Sequence, residues 1–485
     1  MIMKTMKYLM MAALMTGFSG SVMAQDGSKA DIDAVKQIVS SKPADLDKQM
    51  KPYLKANTKN ADNLVAFGRV FYEAKDTANA RIYAENALTV TKYKCSPAFI
   101  LLGDIEALKD DTNAGGLAAQ YYDQAITADP KNPDAYYKYA LVYRKINPTM
   151  AAQRLDELKV QNPEVEVDAI KGHIYAISKN KDKEAFEAYS KVPLEKLERG
   201  YLSEFASACF FTGKHADGLR VVEFASKKYP RYATFNRLGM MFGVELKEYE
   251  KALSFADRFF NASDSAQAHN QEYFYEGLAY NGLGNYDKAI ELFQKALSVK
   301  SEGNLVGEES IIKSISTAYQ TKGDYDNAAA QYKNFLNKKK DAKFDDFEAL
   351  AKIYMDQAND STLDAAGKEK AYMNADAVYA DLGSRYANNL DYVLYKRASI
   401  GNAMDPDLSK GSAKPHYEEL IKLVEPKAQK DDRDKQFLGI AYYYMMAYSL
   451  HKANDIDKAK EYAAKVLEIN PDHKQAQAVI DLKSK

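Results

Sequence analysis

Six histidines, two cysteines and a G-L-G triplet are the residues from which a catalytic or cofactor site would be assembled in this chain. The histidines are His173, His215, His269, His416, His451 and His473. They form no H-E-x-x-H pair and no other pair at zinc-ligand spacing. The nucleophile pattern G-x-S-x-G is absent as well. The G-L-G lies within "YEGLAYNGLGNYDKAIELFQKALSV", from Tyr275 to Val299. To cradle a phosphate it would have to follow a strand and continue to a third glycine, but Asp287 holds that position and a helix-periodic segment precedes it. No G-x-x-x-x-G-K-[ST] occurs. The residues therefore point away from an enzyme and imply no cofactor and no metal.

The elements that would position these residues come from a recurring pattern. Tyr273, Gly277 and Tyr280 lie on one side of a helix, Gly284 and Tyr286 make a turn, and Ala289, Phe293, Ala296 and Leu297 follow at helical spacing. Small residues at Gly277 and Ala289 let two helices cross closely, and a large side chain at Gly277 should cost roughly 1–3 kcal/mol by overpacking. The same order recurs in Gly68, Phe71, Ala80, Ala84 and Ala87, and in Ser316, Tyr319, Gly323, Tyr325, Ala328, Tyr332 and Phe335. Ala206, Gly213, Gly218, Val222, Ala225 and Pro230 give another copy, and Tyr443, Ala447, Leu450, Ala459 and Pro471 one more. Weaker copies begin near Pro97, Asp134, Val165, Tyr232, Phe344 and Asp391.

This pattern resembles the tetratricopeptide repeat, a helix–turn–helix of about 34 residues, over residues 61 to 473 in about eleven units. The resemblance implies an all-α fold in which the repeats stack into a right-handed superhelical solenoid. The array is expected as an N-terminal half, 61–300, and a C-terminal half, 301–473, with "KSEGNLVGEES" between Lys300 and Ser310 as the soft joint. Residues 25–60 read as an N-terminal helical cap and 474–485 as a capping helix, since end repeats must present a polar outer face. The insertions "DDTNAGG", "QANDSTLDAAGKEK" and "GNAMDPDLSKGSAKP" are expected as loops. Cys95 and Cys209 fall several repeats apart and read as two buried or half-buried thiols without a redox role.

Two smaller signals bear on ligands and modification. Asp405, Asp407 and Ser409 alternate like the first ligands of a calcium loop, but Lys410 stands where the turn glycine belongs and His416 where the bidentate glutamate belongs. A turn leading into a helix is the preferred reading, with calcium as the alternative. Thr77, Ser265 and Ser361 each follow an aspartate, as in the three-residue O-glycosylation signal of some Gram-negative envelopes; ordinary turn polarity is the favoured explanation.

Composition narrows the partners. Lys plus Arg number 67 and Asp plus Glu 68, a net charge of −1 that supports no nucleic-acid partner. The chain has 36 tyrosines and no tryptophan, so tyrosine is expected at the helix interfaces. Lys4 and Lys7, the apolar "YLMMAALMTGFSGSV" and "VMA" before Gln25 form an export signal, residues 1–24, cut after Ala24. No cysteine follows the cut, and no apolar run reaches the roughly 20 residues of a membrane span. The expected location is the periplasm, with peripheral association at the envelope allowed.

In tetratricopeptide arrays the first helix of each repeat lines a concave groove that holds a peptide or protein. The resemblance places Asp62, Arg69, Tyr72 and Glu73 there in the first repeat, then Asp134, Tyr137, Arg144 and Lys145 in the third and His173 in the fourth. Lys313, Gln320 and Lys352 follow, with Tyr444, Tyr448, His451 and Lys452 in the last repeat. Some chaperone-binding relatives hold a partner's terminal carboxylate with Lys and Asn; Lys313 fits, but Thr317 replaces the Asn, so that specificity is not carried over. The reading is a protein-binding scaffold in an envelope assembly. Glycan capture on tyrosine platforms is the alternative, and a hydrolase with facing carboxylates a distant third.

Overall fold

The computed structural model describes residues 26–109, 114–300 and 302–482. Among these residues there are twenty-five α-helices, two short 3₁₀ turns and no strand, only an isolated bridge between Tyr232 and Asp264. The expected export segment, 1–24, and the first residues of the "DDTNAGG" insertion lie outside the described residues. No described helix is long and apolar enough to cross a membrane.

Helices α1 (Asp26–Ser41) and α2 (Leu46–Ala56) precede the repeats. From there the helices alternate as the first and second member of a pair. The early pairs are α3 (Ala61–Glu73) with α4 (Thr77–Val90), α5 (Ser96–Ala107) with α6 (Ala114–Ala128), and α7 (Pro133–Tyr143) with α8 (Pro148–Gln161). Next come α9 (Val167–Ala176) with α10 (Asp182–Tyr189), α11 (Arg199–Phe211) with α12 (His215–Lys228), and α13 (Ala233–Glu245) with α14 (Tyr249–Ala262). After Gln267 follow α15 (Asn270–Gly282) with α16 (Tyr286–Ser298), α17 (Glu308–Lys322) with α18 (Tyr325–Lys338), and α19 (Phe344–Ala358) with α20 (Ala365–Arg385). The last are α21 (Leu390–Met404) with α22 (Lys414–Val424), α23 (Asp432–His451) with α24 (Ile456–Ile469), and the short α25 (Lys474–Ile480), which packs on α24.

Local chemistry starts and stops these helices. Six second helices open on acidic or amide caps: the side chains of Asp76, Asn147, Asn285, Asp324, Asp364 and Asp455 each accept a backbone N–H of the first turn. Gly284, part of the G-L-G, sits at φ +78, the left-handed turn that joins α15 to α16. It is a helix-pair turn. Close crossing explains the small residues: a Cβ on Gly277 would lie 2.7 Å from the Phe293 ring, and one on Gly103 would lie 2.4 Å from Tyr122. Ala289, Phe293 and Ala296 are buried together, as their spacing predicts. Cys95 and Cys209 are both buried and free, and burial, then Asp217, pushes the Cys209 thiol up to about 12.

The chain divides into two compact units, 1–267 and 268–485. The stretch expected to be a soft joint, Lys300–Ser310, lies inside the second unit and is clasped there. Asn270 donates its N–H to Asn304 Oδ1 at 3.1 Å and its side-chain amide to the Val306 carbonyl at 2.5 Å. Its own Oδ1 accepts from the Leu305 and Val306 N–H groups, while Asn304 donates to the Val299 carbonyl at 2.7 Å. The insertion "QANDSTLDAAGKEK" also departs from expectation. Its last residues extend α20 backwards, because Asp364 caps that helix from Gly367 N–H.

Candidate functional site

In the first unit successive first helices touch one another: α3 with α5, α5 with α7, α7 with α9 and α9 with α11. Two carboxylates organise this face, one buried and one half-buried. Asp104 on α5, 6 % exposed, accepts from the Tyr122 hydroxyl at 2.8 Å and from Lys138 Nζ at 2.8 Å, with Arg69 at 3.6 Å. A buried carboxylate must be paired and hydrogen-bonded, and three neighbouring helices, α3, α6 and α7, supply the partners. Tyr72 is half-buried beside the same group; burial, then Asp104, pushes its phenol up to about 12, against Arg69. Asp134, also near Asp104, is raised by burial above the usual carboxylate range, with Lys138 opposing.

The second carboxylate is Glu204 on α11. It accepts the Tyr189 hydroxyl at 2.5 Å and meets His173 Nδ1 at 3.0 Å. His173 is 5 % exposed, between the rings of Tyr137 at 6.2 Å and Tyr201 at 5.5 Å. Burial, then Glu204, pushes Tyr137 up to about 12. Arg144 is half-buried and electrostatically coupled to Tyr137, and Lys145 is exposed at the end of α7. The structure thus gathers Arg69, Tyr72, Asp134, Tyr137, Arg144 and His173 on one face, while Asp62 and Glu73 stay exposed.

The second unit does not gather its candidates into one site. Lys313 lines a cavity of about 330 Å³ between α15, α16 and α17. Lys352 is exposed and pairs with Asp356 at 2.7 Å, which also accepts the Gln320 amide at 2.7 Å. Tyr444 is buried at 6 % exposure, with its ring 4.8 Å from Tyr417, so it is core and not a groove anchor. Tyr448 is half-buried, stacked on Tyr444 at 6.3 Å and covered by Lys414, whose Nζ lies 5.4 Å from the ring centre. His451 and Lys452 are exposed beyond them.

Sequence reasoning missed Asp104 and Glu204. The available signal was tyrosine at the second-helix position that elsewhere is phenylalanine. Tyr122 faces Gly103 and Tyr189 faces Gly172, as Phe255 faces Gly239 and Phe293 faces Gly277. A buried phenol needs an acceptor, and so implies one on the neighbouring first helix.

The loop from Asp405 to Gly411 is closed on itself. Asp405 is 2 % exposed and accepts the N–H groups of Lys410, Gly411 and Ser412 and the Ser409 hydroxyl. Burial would raise its pKa, but these donors hold it down to about 2. Both carboxylate oxygens face N–H groups of their own loop, so the turn reading describes it and a calcium ligand set does not. Among the described residues no three His, Cys, Asp or Glu side chains converge on a metal position. Of the glycosylation candidates, Ser265 and Ser361 are exposed in turns, and Thr77 is half-buried at the first position of α4.

Family models described as tetratricopeptide repeat match residues 121–154, 273–302 and 440–473. The chain carries tetratricopeptide repeats. The matched segments fall on α6–α8, α15–α16 and α23–α24, and the second contains the Gly277–Phe293 crossing described above. No curated protein matches the chain significantly. Among solved structures, the C-terminal part of a tetratricopeptide-containing protein from Cytophaga hutchinsonii is 20 % identical, covering 58 % of this chain and all of that one at a TM-score of 0.42. A tetratricopeptide protein from Parabacteroides merdae is 17 % identical, covering 53 % and 98 % at 0.32. The Naa15/Naa10 assembly bound to HypK-THB is 14 % identical, covering 93 % and 65 % at 0.30. The repeat assignment rests on the matched segments and the helix pairing.

Proposed function

We propose that this chain is a periplasmic scaffold that holds a protein partner on its first-helix face within a cell-envelope assembly. One observation carries the reading. Arg69, Tyr72, Tyr137 and Arg144 stand on a face where Asp104 and Glu204 hold Tyr122, Lys138, Tyr189 and His173 in place by hydrogen bonds. A face ordered before binding loses less side-chain entropy when a partner arrives. Tyrosine and arginine also supply large contact area and forked hydrogen bonds. The address is inferred from the N-terminal Lys4, Lys7 and apolar segment.

Glycan capture is less well supported, because it needs open tyrosine faces. Tyr137 lies against His173, Tyr444 against Tyr417, and Tyr448 under Lys414.

The test is affinity capture of the full chain from envelopes crosslinked in living cells. A stoichiometric protein partner is expected, and it should be lost when Tyr72, Tyr137 and Arg144 are changed together to Ala in a variant whose helical circular dichroism is retained. Capture of no protein above background would sink the scaffold reading.

A further inference from the structure

We propose that the cavity between α15 and α17 takes an extended peptide segment, seating one large apolar side chain and the side-chain carboxylate of the residue beside it. The inference rests on the scaffold reading and names the chemistry of one contact within it. Its floor is apolar: Phe274 and Leu278 on α15 and Phe293 on α16, with the two phenylalanine rings 5.5 Å apart. Phe293 is fully buried and Phe274 half-buried, so the floor is fixed and partly open. At about 330 Å³ the cavity has room for one large side chain and the backbone beside it.

The polar lining selects what accompanies that side chain. Ser310, Lys313, Ser314 and Thr317 fall on one face of α17 at helical spacing. Lys313 is exposed and has no carboxylate within ion-pair distance among the described residues; Asp346 on α19 feels its charge but does not line the cavity, and no Asp or Glu does. The lining therefore carries a single positive charge beside three hydroxyls, which complements one carboxylate. Asn281 at the end of α15 supplies the opposite demand. Its Oδ1 is buried and accepts no hydrogen bond. An unmet buried acceptor calls for a donor, and the main-chain N–H of a bound peptide is the donor next to any seated side chain. Apolar group, N–H and carboxylate together describe an apolar–acidic dipeptide step inside a chain. Because one ammonium balances one carboxylate, the peptide need not end there.

The absence of tryptophan from the protein supplies the assay. The probe is a peptide blocked at both ends, with one Trp-Glu step in a Gly/Ala background, titrated with the full chain while tryptophan emission is recorded. A saturable blue shift is expected. The Trp-Gln peptide should bind about tenfold more weakly, a difference of about 1.4 kcal/mol. Lys313→Gln should weaken the Trp-Glu peptide by a similar factor and leave the Trp-Gln peptide unchanged, the non-additivity that marks a direct contact. Asn281→Ala should weaken both peptides. Equal binding of the two peptides to the native protein overturns the proposal without relying on any protein variant. So does a free C-terminal carboxylate that replaces the glutamate without loss. If envelope capture succeeds while the Trp-Glu peptide fails to saturate, the cavity assignment falls and the scaffold stands; if capture fails, the scaffold falls on its own test.

Discussion

On the α3–α11 face, the room between successive first helices is filled by Asp104, Lys138, His173 and Glu204, with tyrosines from the second helices reaching in to meet the carboxylates. Between α15 and α17 the same position in the repeat is left as a cavity over Phe293. The helix pair is alike in both regions, with Gly103 against Tyr122 in one and Gly277 against Phe293 in the other. The difference begins with one oxygen atom. A buried phenol requires an acceptor, the acceptor is a carboxylate, and the buried carboxylate in turn requires a cation. Each demand adds a side chain to the inter-helix space. At Phe293 no such sequence starts, and the space stays available.

The largest way to break this comparison is Asp104→Ala, which removes the acceptor that Tyr122, Lys138 and Arg69 share. Loss of one side of a buried ionic cluster should cost about 3–5 kcal/mol. Amide hydrogen exchange, read helix by helix, should show α5–α7 opening more readily while α15–α18 are unchanged. Loss of protection spread evenly over the chain would contradict the local reading.

A smaller effect is expected from Gly277→Leu, the corresponding insult to the phenylalanine type of crossing. A Cβ already meets Phe293 at 2.7 Å, so overpacking should cost about 1–3 kcal/mol, visible as faster exchange in α15 and α16. Tyr122→Phe then sharpens the contrast, since it converts the tyrosine crossing towards the phenylalanine one while Lys138 still pairs Asp104. The loss of one hydrogen bond should cost about 1 kcal/mol by urea unfolding followed at the first unit. No measurable cost would mean that the phenol is not what orders that face.

The smallest effect is confined to the loop between α21 and α22. Asp405 is held at about 2, below its ordinary 3.8, so the stability it contributes is present above pH 3.8 and is lost as pH falls towards 2. Exchange of the Lys410, Gly411 and Ser412 amides should accelerate across that window. Calcium added at neutral pH should leave them unaltered.

Most of the architecture was legible from spacing, because Gly68, Gly277, Ala289 and Phe293 are forced by the way two helices cross. The faces were less so. Arg69, Tyr72 and Tyr137 could be assigned to first helices, yet the roles of the carboxylates beside them, Asp104 and Glu204, depend on which side chains meet across 15 to 35 positions of sequence. Tyr444 shows the limit of register alone, since Tyr417 from the preceding pair covers it. The Asn270–Asn304 clasp was missed because a stretch rich in Gly and Glu reads as soft unless its one distant amide partner is known.

The tyrosine–carboxylate hydrogen bonds have an optical consequence. An excited phenol readily gives up its proton to a bound carboxylate and goes dark, so Tyr122 beside Asp104 and Tyr189 beside Glu204 should be nearly silent in the folded chain. With 36 tyrosines and no tryptophan to collect their energy, the protein should glow more brightly as it unfolds. Its own emission then becomes a gauge of whether the inner face is intact.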